Sequence, residues 1–204
     1  MHSPSIGRLE TVLRKAADEA STSLSKWLGR PTRITVKEVT ALPLDRAVTM
    51  LGAGDEPLCV CAMHVAGALP GVLALATDDA SGLALADLLL GRDCGTSTDW
   101  GEIERSAAAE TTNIIGCAYL NAVAAESEGA AEAPPLVPSP PWFVRDFPEA
   151  VMGGIIMMQA TSDAVFLTRT AFDIEDSAIR CSLVFVPQAA PPCDQGPARP
   201  VDRP

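Results

Sequence analysis

The chain repeats one order of secondary-structure signals, and this internal repetition constrains its fold more than any other feature. Residues 1–93 and residues 94–187 each show the pattern of a long helix, a strand, a short apolar helix and a strand–turn–strand unit. The long helices are predicted over residues 6–28 and about 100–125, where apolar side chains recur at helical spacing. Neither half offers enough apolar surface for a stable core of its own, so we expect the halves to share one core.

The remaining elements follow from local patterns within each half. In the first half they cover residues 32–39 (strand), 44–51 (short helix), 58–65 with 71–77 (hairpin) and 80–91 (helix). In the second half they cover residues 128–141 (a Pro-rich connection with room for one short strand), 147–158 (short apolar helix) and 164–172 with 178–186 (hairpin). Trp27, Trp100 and Trp142 lie near the ends of elements, where we expect them to anchor packing.

Two units of this kind most simply pair their hairpins into one long antiparallel sheet, with the long helices covering a face. The predicted fold class is therefore α/β of the α+β type, a pseudo-two-fold domain over residues 1–187 built from two helix–strand–hairpin repeats. Residues 188–204 are rich in proline and poor in large apolar side chains, which is typical of a disordered tail.

The charge balance argues against nucleic acid and anionic membranes as partners. The chain has 26 Asp and Glu against 15 Lys and Arg, a net charge of −11, and no basic run stands out. The sequence shows neither a signal-peptide pattern nor an apolar run long enough to cross a bilayer, so we expect a cytoplasmic protein. The six cysteines form no CxxC pair, and we expect reduced thiols rather than a disulfide framework.

A narrow line of polar residues interrupts the otherwise small and apolar second long helix. Helical spacing places Ser106, Glu110, Asn113 and Cys117 on one side of the helix, and we name this set the polar stripe. An ordinary solvent-facing side is the simpler interpretation, but the chain has only two asparagines, and asparagine is a poor helix former. We expect the adjoining helix surfaces to bury against the sheet and leave the stripe outward: Ile103, Ala107, Ala108, Ile114, Ile115 and Ala118.

The residue types of the polar stripe suit the hydrolysis of a phosphoryl group. A carboxamide oxygen accepts a proton from water while its nitrogen donates elsewhere, so Asn113 could hold a water in line with a phosphorus atom. The carboxylate of Glu110 could pair with a cation of the molecule that carries the phosphate. The stripe has no metal-ligand cluster, nucleophile triad or phosphate-binding loop. Alone it would be half of an active site, and a partner would have to supply the phosphate, the metal and the cation.

The stretch "SAAAETTNIIGCAYLNAV" resembles the helix motif of the CheC/CheX/FliY phosphatases of bacterial chemotaxis, in which Asp or Ser is followed at fixed spacing by Glu, Asn and a distal proline. Ser106, Glu110 and Asn113 match that register. Strict spacing would place the proline at Leu136, and prolines flank that position on both sides. The resemblance extends over nearly the whole folded part, through "LSKWLGRPTRITVKEVTALPL", "LALADLLLGR" and "AVMGGIIM".

The resemblance implies a CheC-like domain with the motif helix on its outside and the activity of a phosphatase. Its substrate would be the aspartyl phosphate of a CheY-type receiver domain in chemotaxis or two-component signalling. By analogy with the family, Asn113 would orient the attacking water, Glu110 would contact a lysine of the receiver, and Ser106 would support the stripe or touch the partner. Mg²⁺ would be held by the acidic residues of the receiver, so the resemblance implies no cofactor of this chain's own.

The sequence also departs from the family and leaves other functions open. Where CheC carries a first Glu-x-x-Asn motif, this chain has Thr11 and Arg14, so we expect one functional site per chain. The alternative is a non-catalytic binding module, related to flagellar switch proteins of the FliM type or acting through the receptor deamidase CheD. The sequence names neither the receiver nor the oligomeric state.

Overall fold

Seven strands form one antiparallel sheet in the computed structural model, which describes residues 6–43, 46, 49, 56–126, 134–158, 164–174 and 177–188. The strands are β1 (Thr32–Pro43), β2 (Leu58–Ala66), β3 (Gly71–Asp78), β4 (Val137–Pro138), β5 (Trp142–Asp146), β6 (Ala164–Ile174) and β7 (Ser177–Pro187). The helices bounded within these ranges are α1 (Ile6–Leu28), α2 (Asp79–Leu89), α3 (Glu102–Glu126) and α4 (Pro148–Met158). None of the helices in the described ranges combines the length and the apolar character that crossing a bilayer requires.

Each half of the chain gives its outer strand to the hairpin of the other half. The strand order is β1-β6-β7-β3-β2-β4, and β5 also pairs with β2. The two hairpins, β2–β3 and β6–β7, meet at the centre of the sheet, where β3 pairs with β7. Outside them, β1 pairs with β6, while β4 and β5 pair with β2. This exchange places a pseudo-two-fold axis between β3 and β7, and the predicted fold class is confirmed.

Both faces of the central strands are buried, and successive residues alternate between two apolar layers. Odd-numbered residues of β2 and β3 pack in the layer with α1, α2 and α3: Met63, Val65, Leu73 and Leu75. Even-numbered residues of the same strands pack with α4: Leu58, Val60, Ala62, Val72, Ala74 and Ala76. The predicted alternation along β7 is confirmed, because these residues belong to or pack against the first layer: Ile179, Cys181, Leu183 and Phe185.

Small side chains allow α1 and α3 to lie close to the sheet and to each other. Ala16 and Ala20 of α1 are fully buried. On α3, a Cβ atom added to Gly116 would lie 2.8 Å from Met63 Cε and 3.2 Å from Leu73 Cδ2, so the absence of a side chain permits this close approach. With aromatic residues at only 4% of the chain, close packing of small and aliphatic groups builds the core.

The predicted elements agree with the structure except in the Pro-rich connection. The first long helix and both hairpins are confirmed. The sequence predicts one short strand within residues 128–141, whereas the structure has β4 there and β5 directly after it. β5 forms because β2, from the other half, supplies its hydrogen-bonding partner, and local patterns do not report such long-range pairing. The predicted helix at 44–51, apart from Arg46 and Thr49, and the predicted tail beyond Gln188 lie outside the described residues.

Candidate functional site

The loop between α2 and α3 holds the beginning of the helix that carries the polar stripe. Asp87 of α2 is fully buried, and its carboxylate accepts hydrogen bonds from the backbone N–H groups of Gly95 (2.9 Å) and Ser97 (3.1 Å). Arg92 Nη1 connects this loop to α3, because it donates to Ser97 Oγ at 3.1 Å and to Glu104 Oε1 at 2.7 Å. Burial alone would raise the pKa of Asp87, but the hydrogen bonds outweigh it and hold the pKa below its ordinary value.

A second network fixes Trp100, two residues before α3 begins. Trp100 is 7% exposed, and its Nε1 donates to Asp79 Oδ1 at 2.9 Å. Asp79, the first residue of α2, also accepts from Cys59 Sγ (2.8 Å) and Arg145 Nε (2.9 Å). Hydrogen bonds from the Arg145 guanidinium hold the pKa of the Asp79 carboxyl well below its usual range. Because these partners come from β2, β5 and α2, the start of α3 is tied to both halves of the chain.

The polar stripe runs along the outward side of α3. Ser106 and Glu110 are exposed, whereas Asn113 and Cys117 are half-buried. The Cys117 thiol donates to Asn113 Oδ1 at 3.6 Å, while the Glu110 carboxylate and the Asn113 Nδ2 group make no hydrogen bond to any described residue. Burial, followed by the charge of Glu110, raises the pKa of Cys117, so the thiol stays protonated at neutral pH. Among the described residues, the amide therefore has a hydrogen bond to its oxygen and none from its nitrogen.

A surface groove of about 970 Å³ opens beside the stripe, and Ser106, Glu110 and Asn113 line it. A segment that follows β4 also lines the groove, and Ser139 fixes this segment by a hydrogen bond from its backbone N–H to the carbonyl oxygen of His64 (2.8 Å). The other lining residues outside α3 come from the ends of α1 and α2 and from the proline segment: Trp27, Leu89, Leu90, Pro138, Pro140 and Pro141. The amide can thus be reached by an approaching surface.

A proline near the position predicted for the distal proline of the motif borders this groove. Leu136, at the position that strict spacing would give the proline, packs against the apolar layer beneath α1 and α3. Pro138, two residues later, lines the groove together with Asn113. A proline therefore borders the same groove as the amide, at a shifted position in the sequence.

Two exposed apolar side chains at the groove contradict the sequence predictions. Ile103 is 56% exposed, because its spacing of three and seven residues from Ser106 and Glu110 places it on the stripe side of the helix rather than the sheet side. Trp27 is 49% exposed and lines the groove, so its predicted role as a packing anchor is wrong. Trp100, in contrast, is buried as predicted. The amide is therefore bordered by apolar surface of the kind that protein partners cover.

Of the two α1 positions that the sequence resemblance sets against the first family motif, Arg14 has a structural role. Thr11 is exposed, and Arg14 Nε and Nη2 donate to Glu10 Oε1 at 3.2 and 2.6 Å. Arg14 Nη1 donates to the carbonyl oxygen of Val36 at 3.1 Å, which fastens α1 to β1. A guanidinium only donates hydrogen bonds, so it cannot accept a proton from water as a carboxamide does.

All five described cysteines, Cys117 included, are free. Cys59, Cys61 and Cys181 are buried, Cys94 is exposed, and Cys59 also donates the hydrogen bond to Asp79. Burial raises the pKa of Cys61 to about 11, so its thiol is inert and packs as a small apolar side chain. In the part of the chain that the structure describes, no group of three or more His, Cys, Asp or Glu side chains is arranged to hold a metal ion.

Sequence patterns did not reveal the residues that position α3. The one local signal is Asp78, the N-cap of α2, whose carboxylate accepts from the Ser81 backbone N–H at 2.7 Å. Asp79 and Arg145 are bonded across 66 positions of the sequence, and Asp87 is satisfied by a loop without regular structure. Such contacts arise only after the two halves have assembled, so local spacing could not have identified them.

Comparisons with known proteins give the fold. No protein-family model matches the chain, and no curated protein sequence matches it significantly. Thermotoga maritima FliY has a TM-score of 0.74 at 19% identity, over 92% of this chain and 92% of that chain. A chain of the FliG–FliM complex from H. pylori has a TM-score of 0.64 at 12% identity, over 90% and 94%. A chain of the CheX–CheY–BeF3–Mg²⁺ complex from Borrelia burgdorferi has a TM-score of 0.51 at 17% identity, over 91% and 100%.

These matches cover nearly the whole of each chain, so they concern the complete arrangement of helices and sheet rather than one shared motif. At such low identities the likeness concerns the fold, and a shared fold does not transfer an activity. The resemblance to the CheC/CheX/FliY family is thereby confirmed at the level of the fold: this chain has the architecture found in FliY, the FliM middle domain and CheX.

Proposed function

We propose that the chain is a phosphatase that hydrolyses the aspartyl phosphate of a CheY-type receiver domain. The observation that carries this proposal is the setting of Asn113, which lines an open groove beside the exposed carboxylate of Glu110 and whose amide nitrogen has no hydrogen-bond partner among the described residues. The apolar side chains of Trp27 and Ile103 stand exposed around the same groove. An apolar border around a polar centre suits the docking of a folded protein, which brings the phosphate with it.

Asn113 supplies the positioning that phosphoryl hydrolysis needs. Its Oδ1 atom has two lone pairs, of which the Cys117 thiol occupies one, so the other can accept a hydrogen bond from a water. The oxygen of that water forms a bond to phosphorus while the bond from phosphorus to the aspartyl oxygen breaks. The aspartate carboxylate leaves with the bonding electron pair, and the proton of the water passes to the released phosphate or to solvent.

Glu110 and Ser106 serve recognition in this proposal. Glu110 is exposed, so a lysine of the receiver can pair with its carboxylate and bring the phosphate over Asn113. Ser106 lies one turn earlier and extends the contact along α3. Mg²⁺, held by acidic residues of the receiver, would neutralise charge on the phosphoryl oxygens. In this scheme the present chain contributes the amide, the carboxylate and the docking surface.

One structural relative supports a receiver as the partner. The B. burgdorferi complex contains CheX, CheY, BeF3 and Mg²⁺ together. Beryllium trifluoride has the shape and charge of a phosphoryl group, so in that complex a protein of this fold is bound to CheY in a phosphate-like state. We extend the same class of partner to the groove described above.

The proposal is tested by phosphate release from a panel of phosphorylated receivers taken from the same genome. The wild-type chain is expected to accelerate the decay of at least one receiver, and Asn113→Ala should return that decay to the receiver's own rate while binding persists. Asn121→Ala is the matched control, because Asn121 is the other asparagine of the chain, is exposed on α3 and lies outside the groove. Wild-type rates from Asn113→Ala, or no accelerated receiver, would overturn the proposal.

A non-catalytic switch module is the second candidate, and one observation favours it. The chain superposes better on a chain of the FliG–FliM complex than on the chain of the CheX–CheY complex. In this alternative, the groove binds a protein without hydrolysing anything. Co-sedimentation with flagellar switch components and with CheD, beside the phosphatase assay, separates the two classes, since a scaffold binds without accelerating phosphate release.

A further inference from the structure

We propose that Cys117 is a positioning residue for Asn113, whose thiol holds the amide so that its nitrogen and one oxygen lone pair face the groove. The catalytic consequence of this inference rests on the proposed function. The contact between the two side chains does not, because it is a feature of the chain alone.

The geometry places the thiol behind the amide. Cys117 follows Asn113 by four residues on α3, so the two side chains are neighbours on one side of the helix, and Sγ lies 3.6 Å from Oδ1. The residues that line the groove include Asn113 but not Cys117, which is half-buried. The hydrogen bond therefore reaches the amide from its protein side and leaves the groove side open to a ligand.

The amide needs such a support because an asparagine side chain can rotate and exchange its donor and acceptor ends. The thiol is the one hydrogen-bonding partner of the Asn113 side chain among the described residues. Glu110, one turn earlier, favours the same orientation, because its negative charge attracts the donor end of the amide and leaves the acceptor end to the thiol. A rotated amide would offer a donor where the water needs an acceptor, and misplacement of this kind is costly in catalysis.

The donor stays available at physiological pH. Burial raises the pKa of Cys117, and the nearby charge of Glu110 raises it further, so the group remains a thiol and does not become a thiolate that could only accept. A thiol is a weak donor, which is enough to choose between two orientations of one amide.

The first test measures kcat and KM with the receiver that the wild-type chain dephosphorylates. Cys117→Ala removes the donor and should lower kcat by about two- to fivefold, the size expected for one weak hydrogen bond, with KM unchanged. Cys117→Ser keeps a donor and should recover most of kcat. A Cys117→Ala variant with wild-type kcat, a change confined to KM, or a serine variant no better than alanine would each overturn the proposal.

The second test does not depend on activity. The chain has only two asparagines, so ¹⁵N relaxation of the side-chain NH₂ groups can compare Asn113 with Asn121 as an internal reference. Cys117→Ala should increase the motion of the Asn113 amide and leave Asn121 unchanged, and Cys117→Ser should restore order. If no receiver is dephosphorylated, or if Asn113→Ala is fully active, the proposed function fails. The relaxation measurement still shows whether the Cys117 thiol orders the Asn113 amide. Equal mobility of the Asn113 amide in wild type and Cys117→Ala would refute it.

Discussion

At the scale of single residues, the two functional groups of the polar stripe meet different surroundings on the same helix. Glu110 is exposed and forms no ion pair with any described residue, whereas Asn113 is half-buried and held by Cys117. A solvated carboxylate contributes little binding free energy until a partner brings a cation close to it and displaces the surrounding water. An amide whose orientation is fixed by a hydrogen bond needs no rearrangement when the partner binds. Glu110 is thus suited to recognition and Asn113 to positioning.

Replacement of Glu110 tests this division. Glu110→Gln keeps the shape and removes the charge, so it should raise KM for the phosphorylated receiver about tenfold, the worth of one charge-assisted hydrogen bond, and lower kcat less. Steady-state dephosphorylation measures both constants. Glu149→Gln is the control, because Glu149 is exposed on α4, which packs on the other face of the sheet. An unchanged KM for Glu110→Gln would remove Glu110 from docking.

Asp87 ties stability to pH. Its folded-state pKa is lowered, so its contribution is fully present above the ordinary aspartate pKa of about 3.9 and is lost as pH falls through the lower folded value. Asp87→Asn should reduce the free energy of unfolding at pH 7 by about 2 to 3 kcal/mol, and this deficit should narrow at about pH 3. Urea unfolding at both values, with exposed Asp18→Asn as control, measures it. A deficit that does not depend on pH would contradict the role of the charge.

At the scale of elements, the approach of α2 to Trp100 shows how tightly the start of α3 is built. A Cβ atom on Gly82 would lie 2.7 Å from Thr77 Oγ1 and 2.8 Å from Trp100 Cζ2. The Trp100 ring is itself fixed by its hydrogen bond to Asp79. Gly154, in contrast, is exposed on α4 and has no neighbouring atom within 4 Å of the added Cβ.

The same substitution should therefore have opposite effects on the two helices. Gly154→Ala should stabilise the chain by about 0.5 to 1 kcal/mol, because alanine restricts the unfolded backbone more than glycine does. Gly82→Ala should destabilise it by about 1 to 3 kcal/mol despite the better helix propensity, because the ring and Thr77 must move. Urea unfolding of both variants measures the changes. If both variants were stabilised, the Trp100 ring could move away from the added Cβ atom without lowering the free energy of unfolding.

At the scale of the whole molecule, the net charge of −11 determines how a partner is approached. An acidic chain does not attract an acidic receiver over long distances, so the encounter depends on the local contacts around the groove. Glu110 and Glu102 both line that groove, and neither offers long-range attraction to a negatively charged protein.

Added salt should consequently leave the dephosphorylation rate unchanged or slightly higher. Ionic strength raised from about 0.05 M to about 0.3 M shortens the range of the repulsion between the two acidic proteins and leaves apolar contacts in place. The measurement is kcat/KM for the receiver across this range, with the receiver's own decay as the reference. A steep fall in kcat/KM would show that attraction between charges, rather than local contact, dominates docking.

The sequence predicted the repeated elements well because helical and strand spacing is a local property. Residues 6–28 and both hairpins are confirmed, and the i, i+4, i+7 spacing of Ser106, Glu110 and Asn113 predicted that these residues share one side of α3. β5 was missed because its partner strand belongs to the other half. Ile103 was placed on the wrong side of the helix, and the contact of Cys117 with Asn113 depends on side-chain conformation, which spacing does not specify.

The exchange of outer strands makes the two halves of the chain depend on each other for folding. Cleavage in the loop after α2 would separate the two halves of the chain. Each fragment would lack the outer strand that the other half supplies, and the backbone of β3 or β7 would lose its hydrogen-bonding partner strand. Only a mixture of the two fragments could form the complete sheet again. Arg14 belongs to this shared architecture, because its hydrogen bond to the carbonyl oxygen of Val36 fastens α1 to β1, the strand that pairs with β6 of the other half.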